Sequence, residues 1–145
     1  MPVHTDRRIL PYTAAQMFDL VVGVEQYPEF LPWCLASRIR NRQPHCFDAD
    51  MVIGFKMVRE RFGSHVDFER PHRIDVSPTA GPFRRMANNW RFQDRDEGGC
   101  LIDFHVDFKF RSRLLDKLMG ILFYEAVRRM VSAFEARAHA VYDSA

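Results

Sequence analysis

Over its first 110 residues the chain alternates apolar and polar side chains, and then the period changes. Alternation of period two marks strands with one oily and one wet face. It is cleanest over 100–110, where Ile102, Phe104, Val106, Phe108 and Phe110 oppose Asp103, His105, Asp107 and Lys109. Over 47–57, Phe47, Ala49, Met51, Ile53, Phe55 and Met57 oppose Asp48, Asp50 and Lys56. Over 59–70, Phe62, Ser64, Val66 and Phe68 point inward and Arg61, His65, Asp67 and Glu69 outward. Met86, Asn88, Trp90 and Phe92 share a face within 83–93, and Ile74 and Val76 share one within 73–77. The stretch 35–42 places Leu35, Ser37 and Ile39 inward and makes a basic row of Arg38, Arg40 and Arg42. A short strand over 3–10 precedes these. Breaks fall at Pro11, 43–45, Pro71, a loop over 78–82 and the Asp- and Gly-rich turn 94–99.

From Ser112 to about Tyr142 the spacing is helical: Leu115, Leu118, Leu122, Val127, Met130, Val131, Phe134, Ala138 and Val141 recur three to five residues apart. Ser112 is a fair N-cap, with Asp116 near the first turn. Such a helix measures ~45 Å, so its stripe needs an equally long apolar bed. A shorter helix is predicted over 13–23, opened by the capping box Thr13–Gln16 and stopped by Gly23. Between it and the next strand, Pro28 and Pro32 limit 25–34 to one helical turn crowded with Tyr27, Phe30, Leu31 and Trp33.

The order is strand, helix, short helix, six strands, long helix. Strands joined by short turns favour an antiparallel sheet with one wet face. Seven long twisted strands curl, and a helix fits the concave side. The expectation is an α+β helix-grip fold, a curved antiparallel seven-stranded sheet wrapped around the long C-terminal helix. It forms a single domain over 1–145.

Composition sharpens this. Thirteen Phe, two Trp, four Tyr and seven Met are more large apolar side chain than a core of this size requires, which points to a lined pocket. Net charge is +2, from 21 basic against 19 acidic residues, which gives no reason to expect a DNA partner. Cys34, Cys46 and Cys100 lie far apart without a CxxC and read as free thiols. There is no apolar signal core and no run long enough to span a bilayer, so the expected location is cytoplasmic, with at most peripheral contact at the inner face of the membrane.

Candidate chemistry is sparse. Asp103, His105 and Asp107, with His65 and Asp67, sit on the wet face, where alternation places charges in any case, so no metal site is expected. The best inward polar residues are Ser37, Ser64 and Asn88, none a strong acid or base. No phosphate loop, HExxH or GxSxG is present. The expectation is a binding protein without catalytic residues or cofactor, holding an apolar molecule by its oily surface and by one or two hydrogen bonds to its polar end.

Several segments carry a resemblance: VEQYPEFLPWC (24–34), VIGF (52–55), GPF (81–83) followed by Trp90-Arg91-Phe92, VDFKF (106–110) and AFEAR (133–137). Together they resemble the coenzyme Q-binding protein family, START-like helix-grip proteins of the polyketide cyclase/lipid transport (SRPBCC) superfamily. The resemblance implies a lipophilic cavity for ubiquinone, its precursors or a related polyprenyl lipid, and a carrier or chaperone role supporting respiration. Bacterial relatives are also described as toxins that hinder joining of ribosomal subunits. That gives a second expectation, a ribosomal subunit met through Arg38, Arg40 and Arg42 with Arg84, Arg85, Arg128 and Arg129. The family's aromatic segment falls on Tyr27, Phe30, Pro32, Trp33 and Cys34. The chain begins at its first strand, without the targeting extension of mitochondrial relatives, which favours a bacterial cytoplasmic protein. The quinone ring is expected near Trp33, Trp90 or Asn88, and Tyr27 and Phe30 of the aromatic segment at the pocket mouth are further expected ligand-binding residues. The tail is expected along Ile53, Phe55, Val66, Phe68, Phe104, Met130 and Phe134. Release is expected at a membrane surface, gated by the long helix or the 78–82 loop.

Overall fold

The computed structural model describes residues 3–56 and 58–143; the expected inward side chain Met57 lies outside them. Strand β1 (Val3–Leu10) leads to helix α1 (Ala14–Val22), a single 3₁₀ turn (Val24–Gln26) and the short helix α2 (Tyr27–Phe30). Strands β2 (Cys34–Arg40), β3 (Cys46–Phe55), β4 (Val58–Glu69), β5 (Arg73–Ala80), β6 (Phe83–Asp94) and β7 (Cys100–Phe110) follow, and helix α3 (Arg113–Tyr142) closes the chain. The seven strands form one sheet in the order β1-β7-β6-β5-β4-β3-β2, every neighbour antiparallel. This is the helix-grip arrangement.

Local chemistry sets the element ends. The Gln16 N–H donates to Thr13 Oγ1 at 3.0 Å and the Thr13 N–H to Gln16 Oε1 at 2.9 Å, so α1 opens on the expected reciprocal cap. Ser112 Oγ accepts from the Leu115 N–H at 3.2 Å, and Asp116 accepts from the Phe110 N–H at 3.0 Å, tying α3 to the end of β7.

Three sequence expectations need correction. No loop spans 78–82: β5 runs on to Ala80, helped by a register shift against Gly63, and only Gly81 and Pro82 turn the chain. Gly81 takes φ +128°, and a Cβ there would meet the Phe62 backbone, so the tight turn needs glycine. Leu35 does not point inward. A bulge between Cys34 and Ala36 turns it out, 45% exposed, over the space left by Gly54. In α3 the buried seam is Met119, Phe123, Val127, Met130, Phe134 and Ala138. Leu118 and Leu122 are only half-buried and Val141 is exposed. Apolar residues cover more than one face of the first half of this helix, and the sheet selects the 119/123/127 row.

The wet face of the sheet is laced with ion pairs. Arg38 and Arg40 both donate to Asp50, at 2.8 and 2.7 Å, and Arg42 donates to Glu25 at 2.6 Å. The expected basic row is therefore partly neutralised, three guanidiniums against two carboxylates. Asp75 accepts from Asn89 and Arg91 at 2.7 and 2.8 Å and from Arg73 at 2.7 Å. Partial burial raises its pKa, but these donors outweigh it and hold the carboxyl below its ordinary value. Asp103 pairs with Arg7, His105 contacts Thr5 and His65 contacts Asp48, so the wet-face histidines and acids serve strand pairing.

Candidate functional site: an apolar cavity with two unpartnered polar atoms

The two ends of the interior are filled differently. Where α1 packs on the sheet, Phe18 lies 6.0 Å from both Phe68 and Phe92, and Phe47 lies 5.8 Å from Phe68, ring centre to ring centre. Under the middle and first half of α3 the packing stops short, leaving a cavity of about 190 Å³. An apolar cavity of ~150 Å³ stays dry and takes up benzene, so this one has room for a six-membered ring and its small substituents.

Most of the expected site residues meet here. Tyr27 and Trp33 line the cavity from α2 and the segment after it, Ile53 and Phe55 from β3, and Val66 from β4. Asn88 and Trp90 line it from β6, Phe104 from β7, and Met130 and Phe134 from α3. Two do not. Phe68 faces inward but lies at the end filled by α1, because alternation fixes a face and not a position along the strand. Phe30 turns outward from α2 and packs on Phe134 with the Arg137 guanidinium over its ring, 5.1 Å from the centroid. Ser37, expected inward, is used elsewhere: its hydroxyl donates to Val24 O at 2.7 Å.

Met119 and Phe123 of α3, not anticipated as lining, form the roof, with Phe123 5.0 Å from Phe108. Their spacing to Val127 was a readable signal, masked by the competing Leu118 and Leu122. Ser64, buried at 3% exposure, is a further polar lining residue.

Two polar atoms decide what the cavity can hold. The Trp33 indole Nε1 and the Asn88 Oδ1 are both buried, and neither has a hydrogen-bond partner among the described residues. Trp33 is fixed by the Gly54 N–H, which donates to its carbonyl at 2.8 Å. Asn88 stands on β6 between Val76 of β5 and Val106 of β7. Orphaned polar groups in an apolar interior each cost roughly 1–3 kcal/mol, so a ligand that pairs with them recovers that loss.

Among the described residues, the lining contains no Asp, Glu, His, Lys, Arg or Cys. Its one titratable group is the Tyr27 phenol, raised above its ordinary pKa by burial and already donating to Val21 O. The Cys34 thiol, next to Trp33 in sequence, is pushed up to about 11 by burial. The walls therefore provide an oily surface and two hydrogen-bonding positions, with no acid–base pair in them.

Comparison with known proteins places this geometry. Residues 10–135 match the family described as polyketide cyclase / dehydrase and lipid transport. The ribosome association toxin RatA of Escherichia coli is 33% identical over 144 residues, covering 99% of this chain and 91% of that one. The mitochondrial coenzyme Q-binding protein COQ10 homolog B of Xenopus laevis is 32% identical over 143 residues, 96% of this chain and 59% of that one. The solution structure of an 18 kDa protein from Caulobacter crescentus superposes with a TM-score of 0.80 at 34% identity, covering 99% of this chain and 100% of the other.

Proposed function

The chain belongs to the polyketide cyclase / dehydrase and lipid transport family, and from that premise we propose that it carries ubiquinone, a precursor or a related polyprenyl lipid. The ring sits in the cavity and the tail runs outward. The observation that carries this reading is an apolar hollow of about 190 Å³ furnished with an unpartnered donor, Trp33 Nε1, and an unpartnered acceptor, Asn88 Oδ1. A quinone or its phenolic precursor bears oxygens on a flat apolar ring and meets both requirements. Pockets that enclose a whole drug-sized ligand measure ~300–1,000 Å³, so a polyprenyl tail does not fit inside this one and must emerge past α3. The relative named for coenzyme Q binding supports the choice of lipid. The lining, whose one titratable group among the described residues is the Tyr27 phenol already donating to Val21 O, supports carriage over catalysis, although the family description spans both.

Mass spectrometry of solvent extracts of the purified protein tests this directly. The expected result is a copurifying isoprenoid quinone or precursor. Addition of a short-tailed quinone is expected to quench Trp33 and Trp90 fluorescence with saturation. Absence of both the lipid and the quenching ends the proposal.

A second reading, a protein that associates with ribosomes and hinders joining of their subunits, is favoured by the relatives bearing the toxin name. Its expected surface is weakened by the pairing of Arg38 and Arg40 with Asp50. It predicts salt-sensitive cosedimentation with a ribosomal subunit that survives filling of the cavity.

A further inference from the structure

Most cations of this protein are paired, and those that are not share one region. Arg59 and Arg61 open β4, and Arg84 and Lys109 face each other's strands where β6 begins and β7 ends. Arg111, Arg113 and Lys117 follow at the junction with α3, and Arg128 lies further along that helix. None of these eight pairs with an acid among the described residues, whereas Arg7, Arg8, Arg38, Arg40, Arg42, Arg70, Arg73 and Arg91 all do. The strand pairings bring the end of β3, the start of β4, the β5–β6 turn and the start of α3 to the same end of the sheet. The acids there are mostly occupied. Asp107 meets Arg85, Asp116 caps the Phe110 N–H, and Glu125 lies between Lys56 and Arg129. Glu60 is the remaining carboxylate.

The same region carries unusual apolar exposure. Leu114, Ile121 and Tyr124 are 79%, 72% and 68% exposed. With Lys117 and Arg128 they recur at intervals of three and four, so they form one exposed stripe along α3, bordered on the β1 side by Tyr124, whose ring lies 6.2 Å from that of His4. Beneath this end, the cavity lining reaches Phe55, Phe83 and Phe110, the last or first residues of their strands.

We propose that this end of the molecule, the first half of α3 with the strand ends beside it, docks on a bilayer that contains anionic phospholipid. Leu114, Ile121 and Tyr124 enter the headgroup boundary while Arg111, Arg113 and Lys117 meet lipid phosphates. The inference rests on the carrier reading, since a carrier must meet the membrane that stores its cargo, and it adds the face that does so. Basic charge alone would equally fit RNA. The aliphatic Leu114 and Ile121 decide between them, because RNA offers bases to aromatic, polar and guanidinium groups, whereas a bilayer takes up aliphatic surface and phosphate contacts together.

Flotation of the full chain with phosphatidylcholine vesicles, with and without phosphatidylglycerol, tests the proposal, and each sample is also titrated with a short-tailed quinone. Binding to the anionic vesicles, weakened by salt, is expected. Ile121→Asp together with Leu114→Ser should reduce vesicle partitioning about tenfold or more, from the apolar burial lost. Arg113→Glu with Lys117→Glu should reduce it on anionic vesicles by about fivefold per charge removed. Arg38→Glu, in the paired row, should leave it unchanged, and all variants should keep quinone quenching because none lines the cavity. No flotation of the parent protein with quenching intact overturns the docking face and leaves the carrier reading standing. Loss of quenching in the parent strikes that reading itself. Two further results also overturn the docking face: cosedimentation with ribosomal particles in place of vesicles, and a dimer that Ile121→Asp converts to monomer without any vesicle binding.

Discussion

The two ends of the interior are built from the same alternating strands and finished differently. At one end α1 lays Met17 and Phe18 onto Phe47, Phe68 and Phe92, and the space is full. The last turns of α3 are fastened there too. Tyr142 donates to Gln16 O at 2.6 Å, Arg8 reaches Glu135 at 2.6 Å, and Tyr12, His139 and Asp143 close a three-way cluster. At the other end, among the described residues, no further helix fills the trough beneath α3: of α1 and α2 only Val21 and Tyr27 reach the cavity wall, the cavity stays open beneath Met119 and Phe123, and the outer side of α3 presents exposed apolar residues. The difference teaches that a curved sheet supplies only a trough. What is laid in it decides whether the trough becomes core or pocket.

The largest expected effect comes from emptying the filled end. Phe92→Ala should cost about 3–5 kcal/mol in urea unfolding, because a side chain packed on all sides leaves a cavity behind. Phe108→Ala, which already borders the void, loses fewer contacts and should cost less. Equal losses would mean that the hollow is not hollow.

Next in size are the two orphaned atoms. Trp33→Phe removes the indole N–H and keeps most of the ring, and Asn88→Leu replaces the amide with apolar volume. Each should weaken short-quinone binding by about three- to tenfold, the worth of one hydrogen bond. The same changes should leave the unliganded protein as stable or more stable by about 1 kcal/mol, since an unpaired buried polar group is gone. Binding lost while stability holds would separate a recognition group from a structural one. Stability lost with binding intact would reverse the assignment.

How far these differences were legible in sequence varies with their cause. Faces were legible, because period two places Ile53, Phe55, Asn88, Trp90 and Phe104 on one side whatever the tertiary context. Element order and the helix-grip closure followed from those faces and the length of the last helix. Depth was not legible. Phe68 obeys the same alternation as Val66, yet Phe18 of α1 covers it, and no local pattern announces where a helix about fifty residues upstream will pack. Leu35 was misplaced because a bulge shifts the period by one residue without a Gly or Pro to signal it. Along α3, Leu118/Leu122 and Met119/Phe123 compete as apolar rows, and only the sheet beneath chooses between them. The two unpartnered atoms were equally invisible, since satisfaction is a property of neighbours.

A smaller effect is expected from the helix that roofs the cavity. Gly120 sits one residue after Met119 in the interior of α3, exposed, and a Cβ there would meet nothing within 4 Å. Gly120→Ala should therefore stabilise the protein by about 0.5–1 kcal/mol through helix propensity alone. If the hollow end opens by loosening this half of α3, the same change should slow quinone release in stopped-flow quenching. Faster or unchanged release would move the exit elsewhere.

The smallest expected effect lies at the fastened end and depends on pH. Hydrogen bonding from His139 and then Tyr12 holds the Asp143 carboxyl below its ordinary value of 3.8. A carboxylate depressed in the folded state binds fewer protons there than in the unfolded chain, so its contribution is present above the ordinary value and is lost as pH falls through the lowered folded one. Asp143→Asn should therefore lower the melting temperature slightly at neutral pH, with the gap to the parent closing as acid protonates Asp143. The residue is exposed, so the gap stays small. The sign of its pH dependence carries the test. A gap absent at neutral pH and unchanged in acid would mean the last turn of α3 is held by its apolar contacts alone, with Ala138 and Tyr142 as the fastening and the polar cluster as a bystander.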